Sequence, residues 1–368
     1  MQRTSIIGER MNTTDLKTYF NKHFSNGLPR VTERQHYVPV RYLATWSADK
    51  HRIAMRTIHS SPKMVGIRDV AVRSWFYEFA ELDFVELKTI IDVINTNNPD
   101  SYERRAITKF FATSIVPNIA GRLVVSEDDE EAWSMLDLLS NNDFFDENSL
   151  RCFIIKFLAV KKNPNLAAKG FEMLRRNGSE MMLTGIENAA WPYLDKLLIG
   201  DTRLLTNRSE VVHVIEYIFL QMFRTVKLGQ SLSLVAEGSD MPVDFAKPMI
   251  PYLQMVFAVQ MSHKIVKQIS KYELGVLLND TEDNFITSDY PFIHLSDQLH
   301  CDFLFPISPT RIIYLGLRGE IKGKYRFLST MDLRTVRMLN EKIATNAVEQ
   351  IFATSIEELK TVSMFNNK

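Results

Sequence analysis

One strand near the start of the chain constrains the fold more than any other feature. Between Arg52 and Ile58, Ile53, Met55 and Thr57 alternate with Arg52, Ala54 and Arg56, the two-residue period of a half-buried strand. A lone strand leaves its backbone donors and acceptors unpaired, so it needs partners. None lies nearby in sequence, because the apolar residues that follow recur at helical spacing as far as Lys271. After Glu273 the pattern changes to short runs, Leu274 to Leu278, Phe285 to Thr287, Phe292 to Leu295, Phe303 to Ile307 and Arg311 to Leu317, separated by Asn, Asp, Pro and Ser. These read as antiparallel strands. The chain is therefore expected to be α+β, a helical middle packed with a small antiparallel sheet formed by one early strand and several C-terminal strands. Residues 1–34 read as a polar lead-in with a short helix around Leu16 to Phe24. Residues 35–360 read as a single domain, with the helical middle at 76–271 and the C-terminal sheet and helix at 272–356.

Within the middle, Phe79, Leu82, Leu87, Ile90, Ile91 and Ile94 share one helical face. A second helix from Tyr102 to Ile119 stands behind a capping box of Asp100 and Glu103. Further helices are predicted over Leu150 to Ala159, Asn165 to Arg176, Ser209 to Leu228 and Pro251 to Lys271. A last one is predicted over Leu333 to Phe352, through Val336, Leu339, Ile343, Ala347 and Ile351. From Ser126 to Glu147 nine acidic residues occur without a lysine or arginine, the composition of a solvated face.

Charge and cysteine content narrow the function. The 368 residues carry 44 Lys plus Arg against 44 Asp plus Glu, so no global field draws the chain to nucleic acid or anionic lipid. Only Cys152 and Cys301 are present, too far apart in sequence for a zinc ribbon or a CxxC redox site. No run approaches the roughly twenty apolar residues of a spanning helix, and the N-terminus lacks a signal-peptide core. A cytoplasmic protein without a membrane partner is expected. Phosphate-loop, dinucleotide and His-Glu-x2-His patterns are absent, so neither a cofactor nor a metal site is expected. Two segments are locally basic, Arg30 to Arg73 and Arg311 to Lys342. If the early strand joins the late ones, they make a face able to receive phosphate, or else ordinary surface charge balanced by the acidic middle.

Four phrases can carry chemistry. In Gln35-His36-Tyr37-Val38-Pro39 the proline stiffens the segment that holds an imidazole, a group able to act as acid or base near neutrality. Alone, such a histidine reads better as one hydrogen bonded at the entry to a core. His213, Tyr217, Gln221 and Arg224 share one side of a helix; they read either as its solvent face or as planar, multidentate groups for carboxylate, phosphate or base edges. In Ile286-Thr287-Ser288-Asp289-Tyr290-Pro291, Asp289 either closes an Asx turn or orients His36, with Thr287 and Ser288 adding hydrogen bonds. Asn340 lies on an amphipathic helix, where its amide needs partners. Glu86-Leu87-Lys88 has a nuclease-like spacing but reads as a surface face. Arg208 and His213 match the Arg-x4-His spacing of a helical class of ribonucleases, a weak signal.

Taken in order, these phrases resemble an uncharacterised family of mostly bacterial proteins, the domain of unknown function 4238. In that family His-x-Val-Pro is followed by an arginine-bearing helix and then by Thr-Ser-Asp-x-Pro. The likeness rests on Gln35 to Pro39 with Tyr42, Leu43 and Trp46, on Phe76-Tyr77 before Glu86, on Leu220 to Thr225, on Phe285 to Pro291, on Phe305 to Pro309 and on Leu339-Asn340. This chain departs from it at Val226 and Tyr290, where similar sequences carry proline and asparagine. The resemblance implies an α and β protein with His36, Gln221, Arg224, Ser288, Asp289 and Asn340 as the shared polar set. It also implies a setting, since similar proteins occur among candidate single-gene systems that defend bacteria against phage. The combined expectation is an anti-phage effector, a metal-independent nuclease or nucleotide-cleaving enzyme. His36, Arg224 and Asp289 would be catalytic, and Tyr37, Gln221, Thr287, Ser288 and Asn340 would bind a nucleic acid or nucleotide. A non-enzymatic sensor triggered by a phage component and a nicotinamide-dinucleotide-cleaving or ADP-ribosylating toxin are the alternatives.

Overall fold

The computed structural model describes residues 32–126, 128–146, 150, 164–238, 242–295, 302–319 and 331–362. The expected helices at Leu16 to Phe24 and Leu150 to Ala159, and both cysteines, lie outside these apart from Leu150. The chain forms two compact units, one of residues 1–35, 77–185 and 229–260, the other of 36–76, 186–228 and 261–368.

The first unit is helical. Helix α2 (Phe84–Thr96) begins at Asp83, whose side chain accepts from Glu86 N while Glu86 accepts from Asp83 N, each at 2.8 Å. Glu86 is therefore buried in a capping box, and only Lys88, paired with Asp92, keeps the surface role expected of Glu86-Leu87-Lys88. Helix α3 (Ser101–Val125) starts with the predicted Asp100–Glu103 box. Ile90, Ile91, Ile94, Phe110, Phe111 and Ile115 are buried, as the 3.6-residue period requires. Helix α4 (Glu130–Asn141) opens the acidic stretch, where Arg122 grips Asp129 through two bonds of 2.9 and 3.0 Å and Glu131 at 2.7 Å. Gln35 is wholly buried here. Its amide donates to Arg176 O and accepts from Tyr77 N, both at 2.7 Å. Helix α5 (Pro164–Leu198) is far longer than the predicted 165–176. A Cβ at its Gly178 would stand 2.4 Å from Thr113 O, so only glycine permits this approach to α3.

The second unit holds the sheets. Strand β1 (Arg52–Thr57) pairs with β2 (Lys63–Gly66) on one side. On the other it pairs with β8 (Gln350–Ala353), in register Met55↔Phe352. Strand β8 in turn pairs with β4 (Thr287–Ser288), giving the order β2-β1-β8-β4. The early strand thus does join late ones, but the expectation that it lacks a local partner is corrected by its pairing with β2. The late strands nevertheless divide, because β3 (Tyr272–Leu278), β5 (Ile293–His294), β6 (Phe303–Ser308) and β7 (Arg311–Leu317) form a second antiparallel sheet, β3-β7-β6-β5. The last predicted helix is corrected. Helix α9 (Leu333–Asn346) ends where Ala347 turns to φ −59°, ψ 148°, and the residues expected to continue it become β8. The predicted 209–228 helix likewise breaks into α6 (Arg208–Phe223) and α7 (Val226–Glu237), while the short α1 (Val40–Leu43) precedes β1 and α8 (Ile250–Lys267) precedes β3. Thr225 shapes the corner, its hydroxyl donating to Met222 O.

The core of this unit centres on aromatic rings. Phe305 stacks on Tyr42 (5.4 Å) and Phe292 (4.7 Å) and meets Tyr217 edge-on. Trp46, wholly buried, donates its indole N–H to Phe285 O at 2.9 Å. Val336, Leu339 and Ile343 of α9 cover Ile286, Leu304 and Ile351.

Candidate functional site

All the predicted site residues fall in the second unit, and Tyr37 is where the phrases meet. Its N–H donates to Ala71 O at 3.0 Å and its carbonyl accepts from Arg224 Nε at 3.2 Å, so the residue after His36 is fixed from both sides. Ala71 is buried with φ +50°, a left-handed conformation costly for a side-chain-bearing residue, and its own N–H donates to Gln350 Oε1 at 3.0 Å. Burial drives the Tyr37 phenol far above its usual range, and the Asp289 charge pushes the same way. His36 sits at the rim, Nε2 3.2 Å from Arg68 O. A carbonyl only accepts, so Nε2 is the donor in that contact.

The stripe on α6 is not a solvent face. Tyr217, Gln221 and Arg224 are 0%, 6% and 5% exposed. Arg224 Nη1 pairs with Glu187 at 2.7 Å. Burial, and next the Glu187 charge, hold the Tyr217 phenol well above its ordinary value. Tyr217 Oη, Gln221 Nε2 and Trp191 Nε1 are buried without a hydrogen-bond partner among the described residues. His213 lies apart, stacked on Tyr193 at 5.3 Å.

Asp289 is used differently from either sequence reading. Its carboxylate accepts from the backbone N–H of Val348 (2.8 Å), Glu349 (2.7 Å) and Gln350 (3.0 Å), while its own N–H donates to Gln350 O. It anchors the entry to β8, and these bonds go to the backbone and not to His36. Burial pushes this carboxyl up to about 6 against the pull of the three donors. Thr287 Oγ1 is 2.7 Å from the Tyr42 hydroxyl, which donates to Pro306 O. Ser288 Oγ accepts from Tyr290 N. Asn340 accepts from Ile286 N at 3.0 Å and donates to Asn284 O at 2.8 Å. Asp289, Thr287 and Asn340 close hydrogen bonds between segments of the unit, whereas Ser288 holds its own turn.

The expected basic face is also revised. β1 and β7 belong to different sheets. Arg56 is buried on Leu359 O and Val362 O, Arg73 pairs with Glu349, and Arg337 pairs with Asp283.

Several titratable residues escaped the sequence reading: Glu187, Lys227 and His294. Lys227, one turn past Arg224, donates to Asn346 O at 3.1 Å and lies 4.6 Å from the Tyr290 ring centroid. Burial lowers its basicity. The Tyr290 hydroxyl is 2.8 Å from His294 Nε2, with the rings stacked at 6.2 Å and 26°. Desolvation, then the Lys227 charge, lowers the imidazole. Among the described residues no group of three or more His, Cys, Asp or Glu is placed to hold a metal ion, and no helix is long and apolar enough to cross a membrane.

Fold and site together define an α+β protein whose separated motifs are stitched through buried polar side chains. The family model described as a protein of unknown function (DUF4238) matches residues 34–357, and the chain belongs to that family. No curated protein and no solved structure matches it.

Proposed function

We propose that this protein is an effector of anti-phage defence that cleaves a nucleic acid or nucleotide, the reaction being carried by side chains. The observation that carries the reading is the convergence on Tyr37. Its neighbour His36 offers an imidazole at the rim, its carbonyl rests on Arg224, and its ring feels the charge of Asp289. His36 Nδ1 is the general base, taking a proton from the attacking hydroxyl or water. Arg224 and Asp289 are positioning residues, one holding the His36 segment and the other the strand beside it. Gln221, whose buried Nε2 lacks a partner among the described residues, supplies a donor to the substrate. The defence setting rests on the resemblance to phage-defence candidates.

The test is protection of phage-infected cells by the wild type and by His36→Ala. Loss of protection with an unchanged melting temperature is expected; equal protection by two folded proteins overturns the assignment. A second reading, a binding module triggered by a phage component, is favoured by one observation: Thr287, Ser288, Asp289 and Asn340 all spend their hydrogen bonds inside the protein. Incubation of purified protein with RNA, DNA and nicotinamide dinucleotide separates the two, because turnover of any of them that is lost in His36→Ala removes the binding-only reading. Cleavage of the dinucleotide alone would point to the toxin alternative.

A further inference from the structure

We infer that Lys227, Tyr290 and His294 form a binding site for a phosphoryl group, on residues that the proposed reaction does not use. Tyr290 is the shared wall. The Lys227 ammonium stands 4.6 Å from its ring centroid and is tethered to the Asn346 carbonyl, while His294 Nε2 lies 2.8 Å from its hydroxyl. Tyr290 is 7% exposed, while His294 keeps part of its surface in solvent.

An ammonium and an imidazole are thus held against one ring, and desolvation, then the charge on Lys227, disfavours protonation of His294. An anion bound by both offsets the charge part of that penalty, since it stabilises both cations at once. A compact ammonium and an imidazole, two separate point-like donors, suit a tetrahedral phosphoryl group; a planar carboxylate is better met by the fork of an arginine. The phosphoryl group can belong to a free nucleotide or to a nucleic-acid backbone.

The experiment follows the His294 imidazole resonance by NMR in the full chain, titrated with inorganic phosphate, adenosine monophosphate, a short single-stranded RNA and acetate. A saturable shift with phosphate, its affinity at least tenfold weaker in Lys227→Met and restored in Lys227→Arg, is expected. Tighter binding of the mononucleotide assigns a free nucleotide, tighter binding of RNA the backbone, and equal affinities the phosphoryl group alone. If Lys227→Met does not fold, His294→Gln read by calorimetry takes its place, with the same tenfold loss expected. A resonance unmoved by phosphate, or moved equally by acetate, overturns the site. Binding is read without turnover, so His36→Ala should retain it even if the cleavage reading fails.

Discussion

Helices α2 and α3 and the sheet that contains β8 use their buried polar groups in opposite ways. In the helices the carboxylates work locally: Asp83 with Glu86 and Asp100 with Glu103 close loops three residues long. In the sheet unit the corresponding groups reach across the chain, Arg224 to Tyr37, Asp289 to residues 348–350, and Asn340 to 284 and 286. A local cap stabilises one element. A long-range clamp decides which elements meet, so its loss should be felt by the whole unit.

Three measurements test this contrast. Asp289→Ala leaves three backbone donors facing a cavity, and at about 1–3 kcal/mol for each buried unmet donor the loss should be at least about 3 kcal/mol in chemical denaturation. A loss below about 1 kcal/mol would show that water replaces the carboxylate. The same residue predicts a pH dependence. Its folded carboxyl holds a proton more tightly than an unfolded one, so its contribution to stability is present below about pH 4 and is lost as pH rises through about 6. Against an ordinary carboxyl value of 3.8, the amplitude is about 3 kcal/mol, and Asp289→Asn should flatten that step. Asp83→Ala removes one cap and should cost about 1 kcal/mol, with hydrogen exchange increasing at the start of α2 and not in the sheets. Faster exchange in β1 after that change would contradict the local character of the cap.

The same contrast explains what the sequence could reveal. Helix α3 was legible because period, cap and burial agree within one stretch; at α2 the period was legible, while the Asp83–Glu86 cap was read as surface charge. Strand β8 was not, because Ala347 and Ile351 continue the helical spacing of Leu339 and Ile343. What makes residues 350–353 a strand is pairing with Arg52–Thr57, and no local pattern records that. The residues of the candidate site were visible as polar phrases, yet their roles were not. Asp289 reads as a turn former from its neighbours, and its partners lie some sixty residues on. Lys227 reads as solvent charge until Tyr290 is placed beneath it.

The position of β8 has a consequence for the order in which the protein can be made. It leaves the ribosome some three hundred residues after β1, and it lies between β1 and β4. Until it arrives, β1 waits with an open edge, exposed to mispairing or to a chaperone. A product terminated before residue 350 could not join the two halves of that sheet, so assembly of this unit waits on synthesis as far as β8.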